Sequence, residues 1–128
     1  MAGNVNFDEI LKKYMKKTQG RVGLHDCLLW TGYKKSGKGN LVYGRVVNPF
    51  PDVDMQRMHV HRAVYYLHNG QSPADDEGSN TEISHLCHTP LCIEPSHLVR
   101  ESHATNQERI HCKAQGRCTK NHEPACLL

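Results

Sequence analysis

The sequence predicts a single small α+β domain, because helical and strand-like patterns alternate along a chain of 128 residues. A second core would not close within that length. Apolar residues make up 38% of the chain and aromatic residues only 6%, so the apolar core should be thin. Domains with so thin a core usually depend on disulfides or bound metal ions for their stability.

The composition argues against a membrane or secreted protein. No apolar run approaches the roughly 18 residues of a membrane-spanning helix. The opening sequence MAGNVNFDEILKK lacks the apolar segment of a signal peptide. We therefore expect an intracellular protein, nuclear or cytoplasmic, with no membrane partner. The net charge of +3 permits a nucleic-acid partner without requiring one.

Helical periodicity occurs first near the N-terminus. Apolar side chains recur at helical spacing over residues 6–19, within an N-terminal helical segment of residues 1–20. Asn6 is the expected N-cap, with Glu9 three positions later, and Gly20 is the expected end of the helix.

Two further helices are expected. Residues 58–68 have an apolar face and should end at Asn69. A third, shorter helix should begin after Ser102 as its N-cap, which places Asn106 and Ile110 on one face.

A β-hairpin is predicted over residues 25–47, where strand-like segments flank a glycine-rich loop. Residues 27–31 and 41–47 are β-prone, and the loop at residues 34–40 contains three lysines. These lysines either keep the loop solvated or contact a phosphate backbone, and the pattern alone leaves both readings open.

Histidine and cysteine are unusually frequent, with ten and six residues. In a reducing compartment this combination favours metal binding, with disulfides as the alternative. The cysteines divide, with two histidines, into two Cys3His sets of the kind that form structural zinc sites. The first set is Cys27, Cys87, Cys92 and His97, and the second is Cys112, Cys118, His122 and Cys126. His111 is a weaker alternative ligand, since adjacent residues rarely turn both side chains to one ion.

His85 remains after these eight ligands are assigned. A zinc ion at Cys87 would fix its backbone, and an imidazole held in this way is suited to take a proton from water. Asn106 is a reasonable ligand for Mg²⁺, which prefers oxygen donors. On these residues alone, a structural role for His85 is the commoner interpretation, and His88 is its main rival as a catalytic base.

Several motifs occur in a fixed order along the chain. They are Ser84-His85-Leu86-Cys87-His88, Cys92, Pro95, His97-Leu98, Glu101-Ser102, Asn106 and Cys112, preceded by Cys27…Trp30-Thr31-Gly32, Tyr43-Gly44-Arg45 and His61-Arg62-Ala63…Tyr66-Leu67…Gly70. In this order they resemble the His-Cys box homing endonucleases of the HNH (His-Me finger) nuclease superfamily. The resemblance covers about residues 25–126.

The resemblance implies a ββα-metal (His-Me finger) active site in a single domain of residues 1–128. Its core would span residues 82–111, followed by a C-terminal zinc loop at residues 112–128. In that family the histidine is the general base, the asparagine holds one divalent cation and an arginine stabilises charge at the phosphate. Matched by position, these roles belong to His85, Asn106 and Arg45.

The resemblance also implies DNA as the partner. A two-stranded ribbon fits the major groove, and lysines and arginines supply contacts to phosphates. The expected DNA-binding residues are Lys34, Lys35, Lys38 and Arg57. Only Leu127 and Leu128 follow the last cysteine, so the long arm by which some relatives embrace a second subunit is missing, and a homodimer is left open.

We therefore expect a metal-dependent DNA endonuclease with two structural zinc ions and a catalytic Mg²⁺ or other divalent cation. The alternative is a catalytically silent, zinc-containing DNA-binding module on the same scaffold. A zinc-dependent protein-interaction module is a third interpretation, which would not need the lysine-rich hairpin.

Overall fold

The computed structural model describes residues 6–36, 41–76, 80–118 and 122–127. These residues form the predicted small α+β domain. Its elements in chain order are α1 (Phe7–Lys16), β1 (Thr18–Val22), β2 (Cys27–Trp30), β3 (Lys34–Ser36), β4 (Val42–Val47), β5 (Arg57–His59), α2 (Val60–His68), a 3-10 turn (Pro73–Asp76), β6 (Thr81–His85), a second 3-10 turn (Pro95–His97), β7 (Leu98–Ser102) and α3 (His103–Gln115). No helix in these ranges is both long and apolar enough to cross a bilayer.

The strands in the described ranges form three small antiparallel sheets. β1 pairs with β2, β4 lies between β3 and β5, and β6 pairs with β7. None of these sheets is large enough to bury a core alone, so each depends on helices or loops packed against it. The apolar core lies between α1, α2 and the strands, around Trp30 and Phe50.

The helices confirm much of the predicted pattern. The side chain of Asn6 accepts a hydrogen bond from the backbone N–H of Glu9 and caps α1. Six of the nine residues of α2 are buried, and the helix is followed by Asn69. Ser102 caps α3 by accepting from the N–H of Thr105.

The expected end of the first helix at Gly20 is wrong. α1 ends at Lys16, with Lys17 as its C-cap, and Gly20 lies within strand β1. The hydroxyl of Thr18 donates to the carbonyl oxygen of Met15, which gives the last turn a partner. The chain after it then pairs with β2, so tertiary pairing overrides the helical pattern.

The expected pairing of residues 27–31 with 41–47 is also wrong. β2 pairs with β1, and the partners of β4 are β3 and β5. The chain turns directly after Trp30, whose indole N–H donates to the carbonyl oxygen of Tyr33. This turn removes residues 31–33 from the sheet and leaves a shorter hairpin, β3–β4, in place of the predicted one.

β6, β7 and α3 together place the candidate site. β6 and β7 pair over five residue pairs, from Thr81 opposite Ser102 to His85 opposite Leu98. α3 starts directly after β7 and packs against both strands. The loop between β6 and β7 therefore lies at one end of this ββα unit, next to His85.

Candidate metal centres and active site

The first zinc cluster, defined as Cys27, Cys87, Cys92 and His97, joins β2 to the loop between β6 and β7. Its four ligand atoms lie within 4.8 Å of one another. The Nδ1 atom of His97 is 3.7 Å from the Sγ of Cys27 and 3.4 Å from that of Cys92. A tetrahedral zinc ion with ordinary bond lengths would separate sulfur and nitrogen by about 3.6 Å. The arrangement therefore fits zinc.

The second zinc cluster, defined as Cys112, Cys118, His122 and Cys126, begins on α3 and closes at the C-terminal segment. The Nε2 atom of His122 is 3.5 Å from the sulfur of Cys112 and 3.8 Å from each of the other two. Its Nδ1 lies 3.0 Å from the carbonyl oxygen of Pro124, so Nδ1 is the donor and Nε2 has the free lone pair. His111 is not part of the cluster.

All six cysteines are free thiols, which removes the disulfide alternative. Together, the two Cys3His clusters support structural zinc. In the first cluster a hydrogen bond from the Cys92 thiol lowers the pKa of Cys87. This favours the thiolate, the form of cysteine that binds a metal ion.

A buried arginine that the sequence analysis missed connects the second cluster to β7. Arg109 is 1% exposed, and its Nε and Nη2 atoms donate to the two carboxylate oxygens of Glu101 at 2.6 and 2.8 Å. Its Nη1 atom donates to the sulfur of Cys126 at 3.5 Å. Three thiolates and one Zn²⁺ carry a net charge of −1, so a neighbouring guanidinium compensates that charge.

The structure brings His85 and Asn106 to the same cavity. His85 ends β6, Asn106 lies near the start of α3, and both line a cavity of about 210 Å³. The Nε2 atom of His85 lies 3.0 Å from the carbonyl oxygen of Cys92. A carbonyl only accepts, so Nε2 donates and Nδ1 keeps a free lone pair. Desolvation lowers the pKa of His85 to about 4, so the ring is neutral at pH 7.

The amide of Asn106 is held at both ends by β6. Its Oδ1 atom accepts from the hydroxyl of Ser84 at 2.9 Å, and its Nδ2 atom donates to the carboxylate of Glu82. An amide oxygen has two lone pairs, so Oδ1 retains one after bonding Ser84. A hard cation that keeps most of its waters fits such a single oxygen donor, which is the chemistry of Mg²⁺.

His88, the rival to His85, lines the same cavity. Its backbone has a φ of 57°, in the left-handed region that few residues other than glycine adopt. Its Nε2 atom is buried without a hydrogen-bond partner within the described residues. His85 is the ring whose tautomer is set by a hydrogen bond, which favours it as the base.

His61 is a second residue that the sequence analysis did not place at the site. It is 6% exposed, and its ring centroid is 4.3 Å from that of His85. The rings of His59 and Tyr43 lie 5.4 and 5.9 Å from that of His61 and 4.9 Å from each other, and Tyr43 also lines the cavity. The motif His61-Arg62-Ala63 contains this histidine, but a sequence motif does not show which rings lie in contact.

Arg45 does not line the cavity with His85 but lies on the same sheet face as a residue that does. A side-chain carbon at Gly44 would come within 2.4 Å of Trp30, so Gly44 faces the core. By alternation, Tyr43 and Arg45 face outward, and Tyr43 lines the cavity. Arg45 also lies close enough to His59 for its charge to contribute, with burial, to the lowered pKa of that histidine.

Strand register separates the predicted DNA-binding residues. Lys35 lies opposite Tyr43, and Arg57 lies opposite Val47, so both share the outward face of β4 that carries Arg45. Lys34 is exposed but lies opposite Gly44, on the other face. Lys38 lies outside the described residues. We call Lys35, Arg45 and Arg57 the basic sheet face.

The fold and its clusters define a small zinc-binding domain of mixed helices and strands. The family described as the zinc-binding loop region of homing endonuclease matches residues 26–127. Because that match covers most of the chain, the chain belongs to this family, which confirms the resemblance to the His-Cys box homing endonucleases. It is therefore a nuclease-related module, and its family implies DNA binding. Neither the curated proteins nor the solved structures include a significant match.

Proposed function

We propose that the chain is a metal-dependent DNA endonuclease that hydrolyses phosphodiester bonds. The observation that carries the proposal is the hydrogen bond from His85 to the carbonyl oxygen of Cys92, at a cavity that His85 shares with Asn106. That bond selects the tautomer of a neutral imidazole and aims its other nitrogen away from the zinc loop. A general base for water needs this combination of a fixed ring and a free lone pair.

In the proposed reaction, Nδ1 of His85 takes a proton from the water that attacks phosphorus. Asn106, which lines the same cavity, would hold the divalent cation through Oδ1. A bound Mg²⁺ would neutralise charge on the phosphoryl oxygens and stabilise the leaving 3′-oxygen. Arg45, on the basic sheet face, neutralises further charge on the scissile or an adjacent phosphate.

The basic sheet face is the proposed DNA contact. Its three cations lie on the side of the β3–β4–β5 sheet that continues through Tyr43 into the cavity. A phosphate backbone that lies along this face would pass Tyr43, which lines the same cavity as His85. Lys34, on the other face of the sheet, and Lys38 are proposed as further phosphate contacts outside the basic sheet face, and binding should weaken steeply with salt.

The proposed organisation is one domain over residues 1–128. The N-terminal segment, residues 1–20, contains α1, which supports the core, and residues 25–47 include the DNA-facing strands. Residues 82–111 would be the ββα-metal core, and the segment of residues 112–128 contains the ligands of the second zinc site. A homodimer is part of the proposal only for double-strand breaks, since one cavity serves one strand.

The catalytically silent DNA-binding module is the second candidate. It would use the same zinc clusters and the same basic sheet face. The favourable tautomer of His85 and the orientation of Asn106 argue for a working site, because a binding module needs neither.

Plasmid cleavage tests the proposal. The zinc-loaded protein should nick or linearise supercoiled plasmid when Mg²⁺ is added and should leave it intact without Mg²⁺. EDTA is avoided here because it would also remove the structural zinc. His85→Ala should reduce the cleavage rate by at least about 100-fold, the usual contribution of a general base, while DNA binding persists.

His68→Ala is the matched control, because His68 is exposed at the end of α2 and has no contact with the cavity. It should cleave at the wild-type rate. Equal cleavage by His85→Ala and wild type would reject the assignment of the base. Binding without any cleavage by the wild-type protein would favour the silent module.

A further inference from the structure

Two polar side chains of one strand hold opposite ends of the Asn106 amide. Glu82 and Ser84 are two positions apart on β6, so they project from the same face of the strand, toward α3. Glu82 accepts a hydrogen bond from Nδ2 of Asn106, and Ser84 donates one to Oδ1 at 2.9 Å. The amide is thus clamped in a single orientation.

The carboxylate is the member of this pair that sets the orientation. The two ends of an amide have nearly the same shape, but only the oxygen can bind a cation. A hydroxyl such as that of Ser84 can donate or accept, so it tolerates either end. An ionised carboxylate only accepts, so Glu82 requires the NH₂ group on its own side and directs Oδ1 away from itself.

Glu82 is itself engaged by a third residue. The Nδ1 atom of His103 lies 3.2 and 3.3 Å from its two oxygens. One carboxylate oxygen therefore contacts both Asn106 and His103, and the other contacts His103. This arrangement holds the carboxylate toward α3 and leaves Asn106 as the oxygen donor of the pair for a cation.

We propose that Glu82 is a positioning residue for the catalytic cation. It fixes the orientation of the Asn106 amide, so that the oxygen and not the nitrogen is available to the cation. This inference rests on the proposed function, since it assigns Asn106 as the cation ligand. Glu82 acts through Asn106 and does not bind the cation. Replacing the carboxylate by an amide removes the preference, because a glutamine can itself turn over and pair with either end of Asn106.

The first test reads the amide directly, in the zinc-loaded full chain without DNA or Mg²⁺. In ¹H–¹⁵N spectra the side-chain NH₂ of Asn106, assigned through loss of its signals in Asn106→Asp, should show slowed solvent exchange. Glu82→Gln, which has nearly the same size, should abolish that protection while two zinc ions per chain are retained. Glu9→Gln removes the same charge from the exposed start of α1 and should change nothing.

The second test measures the cation. For Glu82→Gln, the Mn²⁺ concentration that half-saturates cleavage, and the Mn²⁺ affinity of the protein–DNA complex by electron paramagnetic resonance, should weaken by about 10- to 100-fold. Cleavage at saturating Mn²⁺ should recover most of the wild-type rate, because the reacting groups are intact.

A double substitution separates positioning from direct coordination. In Asn106→Asp both ends of the side chain are oxygens, so no orientation has to be selected. In that background, Glu82→Gln should leave the Mn²⁺ affinity within about twofold or improve it. A loss as large as that in the Asn106 protein would overturn the proposal and make Glu82 a ligand.

The NMR spectrum and the cation measurements can contradict the proposal independently of each other. An unchanged Asn106 NH₂ signal in Glu82→Gln would overturn the positioning role, whether or not the protein cleaves DNA. If the wild-type protein never cleaves DNA, the proposed function fails, and the spectrum together with Mn²⁺ affinity decides the role of Glu82.

Discussion

The two zinc clusters have the same ligand set but connect the chain in opposite ways. In the first cluster Cys27 and His97 are 70 positions apart, with Cys27 in β2 and His97 in the 3-10 turn before β7. In the second, all four ligands lie within residues 112–126, and three of them are partly exposed. Bringing together the ends of a loop about five times longer costs roughly 1.4 kcal/mol more in chain entropy.

The surroundings of the clusters increase this difference. Around the first cluster, backbone hydrogen bonds join Trp30 to Leu91 and Leu28 to Ile93, so β2 and the zinc loop are bonded along their length. The second cluster is attached to the rest of the domain through α3, through Arg109 and through the backbone N–H of Leu127, which donates to the carbonyl oxygen of Leu86 at 2.7 Å. The first cluster therefore joins segments that are distant in the chain, whereas the second mainly holds the C-terminal segment against the end of α3.

The functional consequence concerns His85. The carbonyl that holds its ring belongs to Cys92, a ligand of the first cluster. Zinc binding at the first cluster should therefore also fix the orientation of the His85 ring. The second cluster begins at Cys112, next to Lys113, which lines the same cavity, but the carbonyl that holds the His85 ring belongs to the first cluster, so loss of the second should disturb His85 less.

The largest predicted effect is the loss of the first cluster in Cys27→Ser. We expect this variant to bind at most one zinc ion per chain and to lose its cooperative unfolding transition, because β2 is released from the zinc loop. Zinc content measured by atomic absorption and the dispersion of amide NMR signals check this expectation. Leu24→Ser, at an exposed position just before β2, is the matched control and should keep both zinc ions.

A folded Cys27→Ser protein with two bound zinc ions would contradict the assignment of Cys27. A folded protein with one zinc ion would show instead that the first cluster is no more essential than the second.

The next effect tests the connection between the second cluster and the core. Arg109→Met leaves the carboxylate of Glu101, 7% exposed, without its partner. Breaking a buried ion pair in this way should lower the free energy of unfolding by about 3–5 kcal/mol. Urea unfolding of the zinc-loaded protein measures the change.

The companion variant for this prediction is the double substitution Glu101→Gln with Arg109→Met. It removes the uncompensated charge, so it should recover part of the lost stability. Equal destabilisation of the single and double variants would mean that Arg109 acts mainly through the sulfur of Cys126.

Counting ligands was sufficient to predict both clusters, because metal sites restrict residue type and number so strongly. The caps at Asn6 and Ser102 were likewise predictable, since a cap depends on a few adjacent residues. His85 and Asn106 were singled out from the residues left after this count and by resemblance, and the structure brings them to one cavity.

Partners that depend on distant segments were not predictable in this way. β-propensity marked Cys27–Trp30 as a strand but did not identify β1 as its partner, because propensity does not encode pairing. No residue near Arg109 on the polar helix α3 indicates that its partners are Glu101 and Cys126. His61 and Glu82 carried too little local pattern to be recognised as neighbours of the site.

The smallest predicted effect distinguishes the clusters without unfolding the protein. When a colorimetric chelator is added, zinc should leave in two phases, because Cys118 and Cys126 are partly exposed whereas Cys27 and Cys92 are buried. Cys118→Ala should bind one zinc ion and lose only the fast phase. We expect it to lower the free energy of unfolding by about 1–3 kcal/mol, within the usual range for a single substitution.

The fluorescence of Trp30 reports the core during the same experiment, since it packs at the end of β2. It should stay constant through the fast phase and change only in the slow phase, when the first cluster releases its zinc. A fluorescence change in the fast phase would show that the second cluster supports the core directly. Release of both zinc ions in a single phase would contradict the expected difference in stability between the first and the second cluster.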